Sequence, residues 1–221
     1  MCELKRALFL DRDGVINKDF GHVHQLRDFE FVDGIFSLCQ SFQAAGYLIV
    51  VVTNQAGIAR GMYSEHDFHQ LSEWMLSRFA DKGVFISAVY FCPHHPSFGT
   101  SATQCTCRKP EPGMILRART DLDLDLGNSI LIGDHESDVR AAHAAGVETT
   151  VLLRAPMTAQ VPSEATYIAR DLDHANSILE HTCSLHVAGS PSPDIDSSQG
   201  HDESPVSAFG NGSPILRACS L

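Results

Sequence analysis

Long apolar runs are missing from this sequence: the longest, Tyr47–Val52, has six residues, against the roughly 18 that a membrane-spanning helix needs. A transmembrane helix is therefore not expected. The apolar stretch nearest the N-terminus, Ala7–Leu10, is shorter still and runs into Asp11, which leaves no room for the apolar centre of a secretory signal. A cytoplasmic protein is expected. Basic residues are also scarce, with 16 Lys and Arg against 27 Asp and Glu, for a net charge of -11 over 221 residues. Such a field opposes the attraction on which general nucleic-acid binding depends. Neither nucleic acid nor membrane is expected as a partner. The seven cysteines are too few and too unevenly placed for a disulfide framework. What is present suits a soluble globular chain able to bury a sizeable core, with 43% hydrophobic and 19% charged residues.

The chain divides near residue 185. Beyond it, 16 of 37 residues are Ser, Pro or Gly, a composition that favours a flexible tail over a packed unit. Two units are expected, 1–184 as the folded domain and 185–221 as the tail. Within the first, short apolar segments rich in β-branched residues, at 7–10, 48–52, 88–91, 129–132 and 149–153, read as strands. Helical patterns occupy 34–45, 64–81, 112–122 and 137–145. Ser64 with Asp67 resembles a capping box, and Gly146 is placed as a helix-ending glycine. Apolar strands alternating with helices imply an α/β fold, a doubly wound parallel sheet covered on both faces. In such sheets ligands bind beyond the carboxyl ends of the strands.

Those ends are where the polar residues gather. The first strand gives way to Asp11-Arg12-Asp13-Gly14. In extended backbone, carboxylates two apart point to one side, and like charges so placed need a cation or a proton between them. Mg²⁺ is the natural ion, because it takes oxygen ligands and a substrate phosphate; a solvated turn is the plain alternative. The second strand ends in Thr53-Asn54-Gln55-Ala56-Gly57, a hydroxyl and a run of backbone N–H groups suited to an anion. Arg108 and Lys109 precede a helix and bring fixed positive charge, and Gly133-Asp134 follows the fourth strand, with Asp138 near the next helix start.

Four such sites in this order resemble the motifs of the haloacid dehalogenase-like (HAD) phosphohydrolases, carried here by Asp11-Arg-Asp13-Gly-Val, Thr53-Asn54, Lys109, and Gly133-Asp134 with Asp138. The resemblance implies that Asp11 is a nucleophile forming an aspartyl phosphate and that Asp13 is its acid and base. Thr53 and Lys109 would then steady the phosphoryl oxygens, and Mg²⁺ would be held by Asp11, the Asp13 carbonyl and Asp134.

Between the second and third motifs Cys92, His94, Cys105 and Cys107 surround a ten-residue loop. Three thiolates and an imidazole can close a tetrahedral zinc site with no open position, which points to a structural metal; His95 is the rival imidazole. Only about 40 residues separate Asp13 from Thr53, too few for a cap domain beside a helix and a strand. A capless HAD protein with a zinc-binding loop resembles the heptose 1,7-bisphosphate phosphatases, and more distantly the histidinol-phosphate phosphatases. The resemblance runs over about residues 5–182 and includes Asp19-Phe-Gly-His22, the turn 53–56 and Cys107-Arg-Lys-Pro. It implies an enzyme of nucleotide-activated heptose biosynthesis, for lipopolysaccharide core or another surface glycan; nothing in the sequence suggests an obligate interface, so a monomer is expected. Its substrate contacts would come from Asp19, Phe20, Gly21, His22, Thr53, Asn54, Gln55, Ala56, Arg108, Lys109 and His135, with Arg108 and Arg60 as donors to a second phosphate. Ala56 and His135 depart from the Ser and Lys common in that family, and a histidine there implies a cation only partly charged near neutrality. A zinc-stabilised binding module without catalysis is the reading from another class.

Overall fold

Four buried positions out of four make Ala7–Leu10 (β1) a strand covered on both faces. The computed structural model describes residues 4–98, 105–154, 162–182 and 214–218. The chain continues through Ile35–Ala44 (α1), Leu48–Asn54 (β2), the short Ala56–Ala59 (α2) and Glu65–Asp81 (α3) to Ile86–Cys92 (β3). Then follow Gly113–Leu122 (α4), Ile130–Gly133 (β4), Glu136–Ala145 (α5), Thr149–Leu153 (β5), Tyr167–Ala169 (β6), Leu172–Thr182 (α6) and Ile215–Ala218 (β7). All paired strands run parallel, in the order β6-β5-β4-β1-β2-β3-β7.

Alternation along the strands splits the core in two. Leu8 and Leu10 face one cluster with Ile35 and Leu38 of α1, Phe68 and Met75 of α3 and Leu179 of α6; Ala7 and Phe9 face another with Met114 of α4 and Ala141 and Ala142 of α5. The doubly wound sandwich is thus present. Ser64 accepts from the Asp67 N–H while the Asp67 carboxylate accepts from the Ser64 N–H, so the capping box forms. Gly146 ends α5 at φ 94°, in the left-handed region that glycine enters without a steric penalty.

β2 and β3 reach two residues or one further than their apolar runs, because Thr53 pairs with Phe91 and Asn54 with Cys92. Backbone ladders need no apolar side chain. The tail reading needs correcting at four residues: Ile215–Ala218 adds to β3, with Ala88 opposite Ile215 and Phe91 opposite Ala218. Ile215 packs on one core cluster and Leu216 on the other, and the edge of β3 supplies the backbone partners. Apart from Pro214, the remainder of 185–221 lies outside the described residues.

Candidate active site

The strand order reverses between β1 and β4, and a crevice opens beyond strand ends at such a point. There the Asp11 N–H donates to the Ile132 carbonyl at 3.1 Å, so the chain leaving β1 stays beside β4. Lys109 Nζ lies 2.8 Å from Asp11 Oδ1 and 2.6 Å from Asp138 Oδ1, and donates to the Val52 carbonyl at 2.9 Å. Asn54 clamps the lysine's backbone, accepting from its N–H at 3.1 Å and donating to its carbonyl at 3.2 Å. Burial opposes the charge of Lys109, yet Asp11 and Asp138 outweigh it and hold the ammonium above its ordinary range. Burial pushes Asp11 the other way, up to about 7, opposed by Lys109 and reinforced by Asp138 and Asp134.

Asp13 sits in a separate set of donors. Arg12, 1% exposed, reaches both its oxygens from Nη2 at 2.8 Å and spends another contact on the Val23 carbonyl at 2.6 Å. Asn17 donates to Asp13 Oδ1 at 3.0 Å. Gln55 Nε2 donates to Asp13 Oδ2 at 3.1 Å and to Thr53 Oγ1 at 2.8 Å, and its own Oε1 accepts from Tyr63 at 2.6 Å. Burial raises the Tyr63 phenol to about 12, so it remains a donor. Arg12, Asn17 and Tyr63 are absent from the site residues expected from sequence, and Asp138 is expected only as part of a motif, with no role assigned. Arg12 and Asn17 reach Asp13 from one and four residues away and Tyr63 reaches Gln55 from eight, contacts that no periodic spacing marks. Asp138 was legible as the end of the fourth motif, and it serves two ends: it accepts from the His135 N–H at 3.0 Å at the start of α5 and binds Lys109.

The donor set fits a hard divalent cation. Asp11 and Asp138 share the ammonium of Lys109, and Asp134, near enough to raise Asp11, brings a third carboxylate. At Gly14 a Cβ would stand 2.1 Å from Asp134 Oδ2, so only glycine lets the loop after Asp13 approach that carboxylate. His135 Nδ1 pairs with Asp134 Oδ1 at 2.7 Å. That hydrogen bond raises the imidazole to about 9 against its desolvation. The pairing favours the charged form of the ring, and a cation on Asp134 opposes it.

A cleft of about 350 Å³ is lined by Asp11, Asp13, Asp19, Gly21, His22, Thr53, Asn54, Gln55, Ala56, Arg108, Lys109 and His135. Phe20 is the expected contact that does not join them; it is 62% exposed and borders a neighbouring hollow with Val23 and Arg27. Its carbonyl-side neighbour Gly21 donates to Asp19 Oδ1 at 2.8 Å, which folds the loop back.

Beside the cleft, Cys92, His94, Cys105 and Cys107 bring four donor atoms within 4.8 Å of one another. His94 Nδ1 stands 3.1 Å from Cys105 Sγ and 3.4 Å from Cys107 Sγ, and Cys92 Sγ is 3.4 Å from Cys105 Sγ. Cys105 Sγ and Cys107 Sγ are 2.8 Å apart, whereas sulfurs about a zinc tetrahedron are about 3.8 Å apart, so this pair must part by about 1 Å to seat an ion. The cluster can hold a metal. Cys107 and then the other donors offset burial to draw the Cys92 thiol down to about 6, the direction metal ligation needs. His95 takes no part, since its Nε2 faces Arg60 at 3.0 Å.

Comparison with known proteins agrees with this geometry. A HAD-hydrolase-like family model matches residues 106–175. Over 168 residues the chain is 53% identical to the D-glycero-alpha-D-manno-heptose-1,7-bisphosphate 7-phosphatase of Burkholderia mallei, spanning 75% of this chain and 89% of that one. Over 177 residues it is 49% identical to the D-glycero-beta-D-manno-heptose-1,7-bisphosphate 7-phosphatase of Vibrio cholerae, spanning 77% and 95%. Its fold is similar to the crystal structure of D,D-heptose 1,7-bisphosphate phosphatase from B. bronchiseptica complexed with magnesium and phosphate. The TM-score there is 0.70 and the identity 28%, over 80% of this chain and 98% of that one.

Proposed function

The chain belongs to the HAD-like family of D-glycero-D-manno-heptose-1,7-bisphosphate 7-phosphatases, and from that membership we propose that it hydrolyses the C7 phosphate of a heptose 1,7-bisphosphate. The observation that carries the reading is Asp11 at the cleft floor, its carboxylate 2.8 Å from Lys109 Nζ and its chain neighbour Asp13 held by three separate side chains. Asp11 attacks phosphorus, the bond from phosphorus to the sugar oxygen breaks, and Asp13 gives that oxygen its proton. Asp13 then takes a proton from water as the water attacks the aspartyl phosphate, releasing inorganic phosphate and the Asp11 carboxylate. Lys109 and Thr53 stabilise the equatorial oxygens. Gln55 ties Asp13 to Thr53, so the acid/base and the phosphate turn move as one unit.

Asp11, the Asp13 carbonyl and Asp134 would hold Mg²⁺, which when bound offsets negative charge on the phosphoryl group. Cys92, His94, Cys105 and Cys107 would hold zinc as a structural tie between β3 and the segment leading to Arg108 and Lys109. The protein acts as a monomer in the cytoplasm on this reading.

The test is turnover of D-glycero-D-manno-heptose 1,7-bisphosphate beside histidinol phosphate, with and without Mg²⁺. Magnesium-dependent release of the 7-phosphate, with histidinol phosphate a poor substrate, is expected. Preference for histidinol phosphate, or no phosphate release from either, overturns the assignment.

A further inference from the structure

Arg12 holds the carboxylate of Asp13 and a loop of the cleft wall with the same nitrogen. Its Nη2 lies 2.8 Å from each Asp13 oxygen and 2.6 Å from the Val23 carbonyl, and its Nε adds a contact of 3.2 Å to Asp13 Oδ1. One such nitrogen carries two N–H groups, so three acceptors share two protons and a shift in any of them disturbs the rest. Nη1 is buried and finds no hydrogen-bond partner among the described residues, and the Phe68 ring stands 5.7 Å from the guanidinium carbon. With no polar group offered on that side, Asp13 and the Val23 carbonyl decide how the guanidinium lies.

Val23 belongs to the loop whose Asp19, Gly21 and His22 line the cleft. His22 holds φ at 55°, a left-handed conformation uncommon outside glycine, and its carbonyl is tied to His24 Nδ1 at 2.8 Å. The His24 ring in turn stacks on Tyr63, whose hydroxyl donates to Gln55, and Gln55 donates to Asp13 Oδ2. Two independent routes therefore run from residues 23 and 24 to one carboxylate. They also divide its oxygens: Oδ1 accepts from Arg12 and Asn17, whereas Oδ2 accepts from Arg12 and from Gln55, which lines the cleft and donates to Thr53 as well. Oδ2 is the oxygen on the substrate side.

We propose that Arg12 is a positioning residue that aims Asp13 Oδ2 at the leaving oxygen and makes that aim depend on the seating of the 19–24 loop through the Val23 carbonyl. The inference rests on the reading of Asp13 as the acid of a phosphatase. With the loop seated, the guanidinium is fixed and Asp13 with it; with Val23 displaced, Nη2 loses an acceptor, the guanidinium turns and the carboxylate follows. Arg12 neither gives nor takes a proton: the proton passes from Asp13 to the leaving oxygen as the bond to phosphorus breaks. An ammonium lacks the planar fork, so lysine cannot hold both oxygens and the carbonyl in one arrangement.

The test sets phenyl phosphate beside p-nitrophenyl phosphate as substrates of the wild type, Arg12→Lys and Arg12→Gln, because the two esters are alike in shape and only the first needs a proton on its leaving oxygen. Comparison in kcat/KM confines the readout to steps through phosphoryl transfer, which keeps the later role of Asp13 as a base out of it. The loss in each variant is expected to be at least about tenfold larger for phenyl phosphate than for p-nitrophenyl phosphate. Equal losses on the two esters, or no loss, overturn the role of Arg12 and leave the phosphatase reading in place, whereas a wild type that releases no phosphate from any ester overturns that reading. A crystal structure of Arg12→Lys reads the placement without turnover: Asp13 should turn away from Gln55 and the loop should shift at Val23, and either one unmoved overturns the coupling.

Discussion

Lys109 and Arg60 are both cations, one buried and one exposed, and the molecule supports them in opposite ways. Lys109 is 4% exposed and surrounded by Asp11, Asp138 and the Val52 carbonyl. Arg60 is exposed and touches two imidazoles and a ring. Burying an ammonium costs several kcal/mol unless carboxylates and hydrogen bonds offset it, so Lys109 is fixed before any ligand arrives and is part of the fold as well as the site. An exposed guanidinium carries no such cost and can stay free of acidic partners. The floor of the cleft is therefore where changes should damage chemistry and stability together, and the rim is where they should change selection alone.

That contrast can be broken in order of effect. Asp11→Asn is expected to reduce turnover by at least about 10³-fold, with circular dichroism close to the wild type and a lowered thermal midpoint, because Lys109 loses one of its two carboxylates; normal turnover would remove Asp11 from the reaction. Lys109→Met leaves two buried carboxylates without their cation, and urea unfolding should show a loss of about 3–5 kcal/mol. A loss under about 1 kcal/mol would mean that the floor tolerates change as the rim does. Cys105→Ser should lose stoichiometric metal by elemental analysis and lower the thermal midpoint by several degrees, whereas an unchanged midpoint would reduce the cysteine cluster to a surface feature. Tyr63→Phe keeps the ring stacked on His24 at 4.8 Å and deletes only the hydrogen bond to Gln55. A single neutral hydrogen bond is worth about 1 kcal/mol, so kcat should fall less than tenfold with KM unchanged.

The same contrast explains what could be read from the sequence. Asp11, Thr53, Lys109 and Asp134 were legible because each stands at the end of a fully or nearly apolar strand or a few residues before a helix, where a change from apolar to polar marks a buried site. Arg12 was not, although it is in the first motif, because arginine is seldom 1% exposed and its burial depends on Asp13 and Val23 folding over it. Tyr63 and Gln55 are eight residues apart across a short helix and a turn, a separation with no periodic signature. The rim group joins 22, 60 and 95, which only the assembled loops bring together. β7 escaped notice because Ile215 and Leu216 are two apolar residues in a stretch dominated by Ser, Pro and Gly, and their partners lie over 120 residues away on β3. β6 has three residues, below the length at which alternation can be recognised.

Phosphoryl transfer to Asp11 would leave an acyl phosphate at position 11. Borohydride added to the enzyme quenched during turnover of heptose 1,7-bisphosphate reduces an acyl phosphate to an alcohol, so peptide mass spectrometry should find homoserine at position 11. Homoserine at any other aspartate would contradict the account.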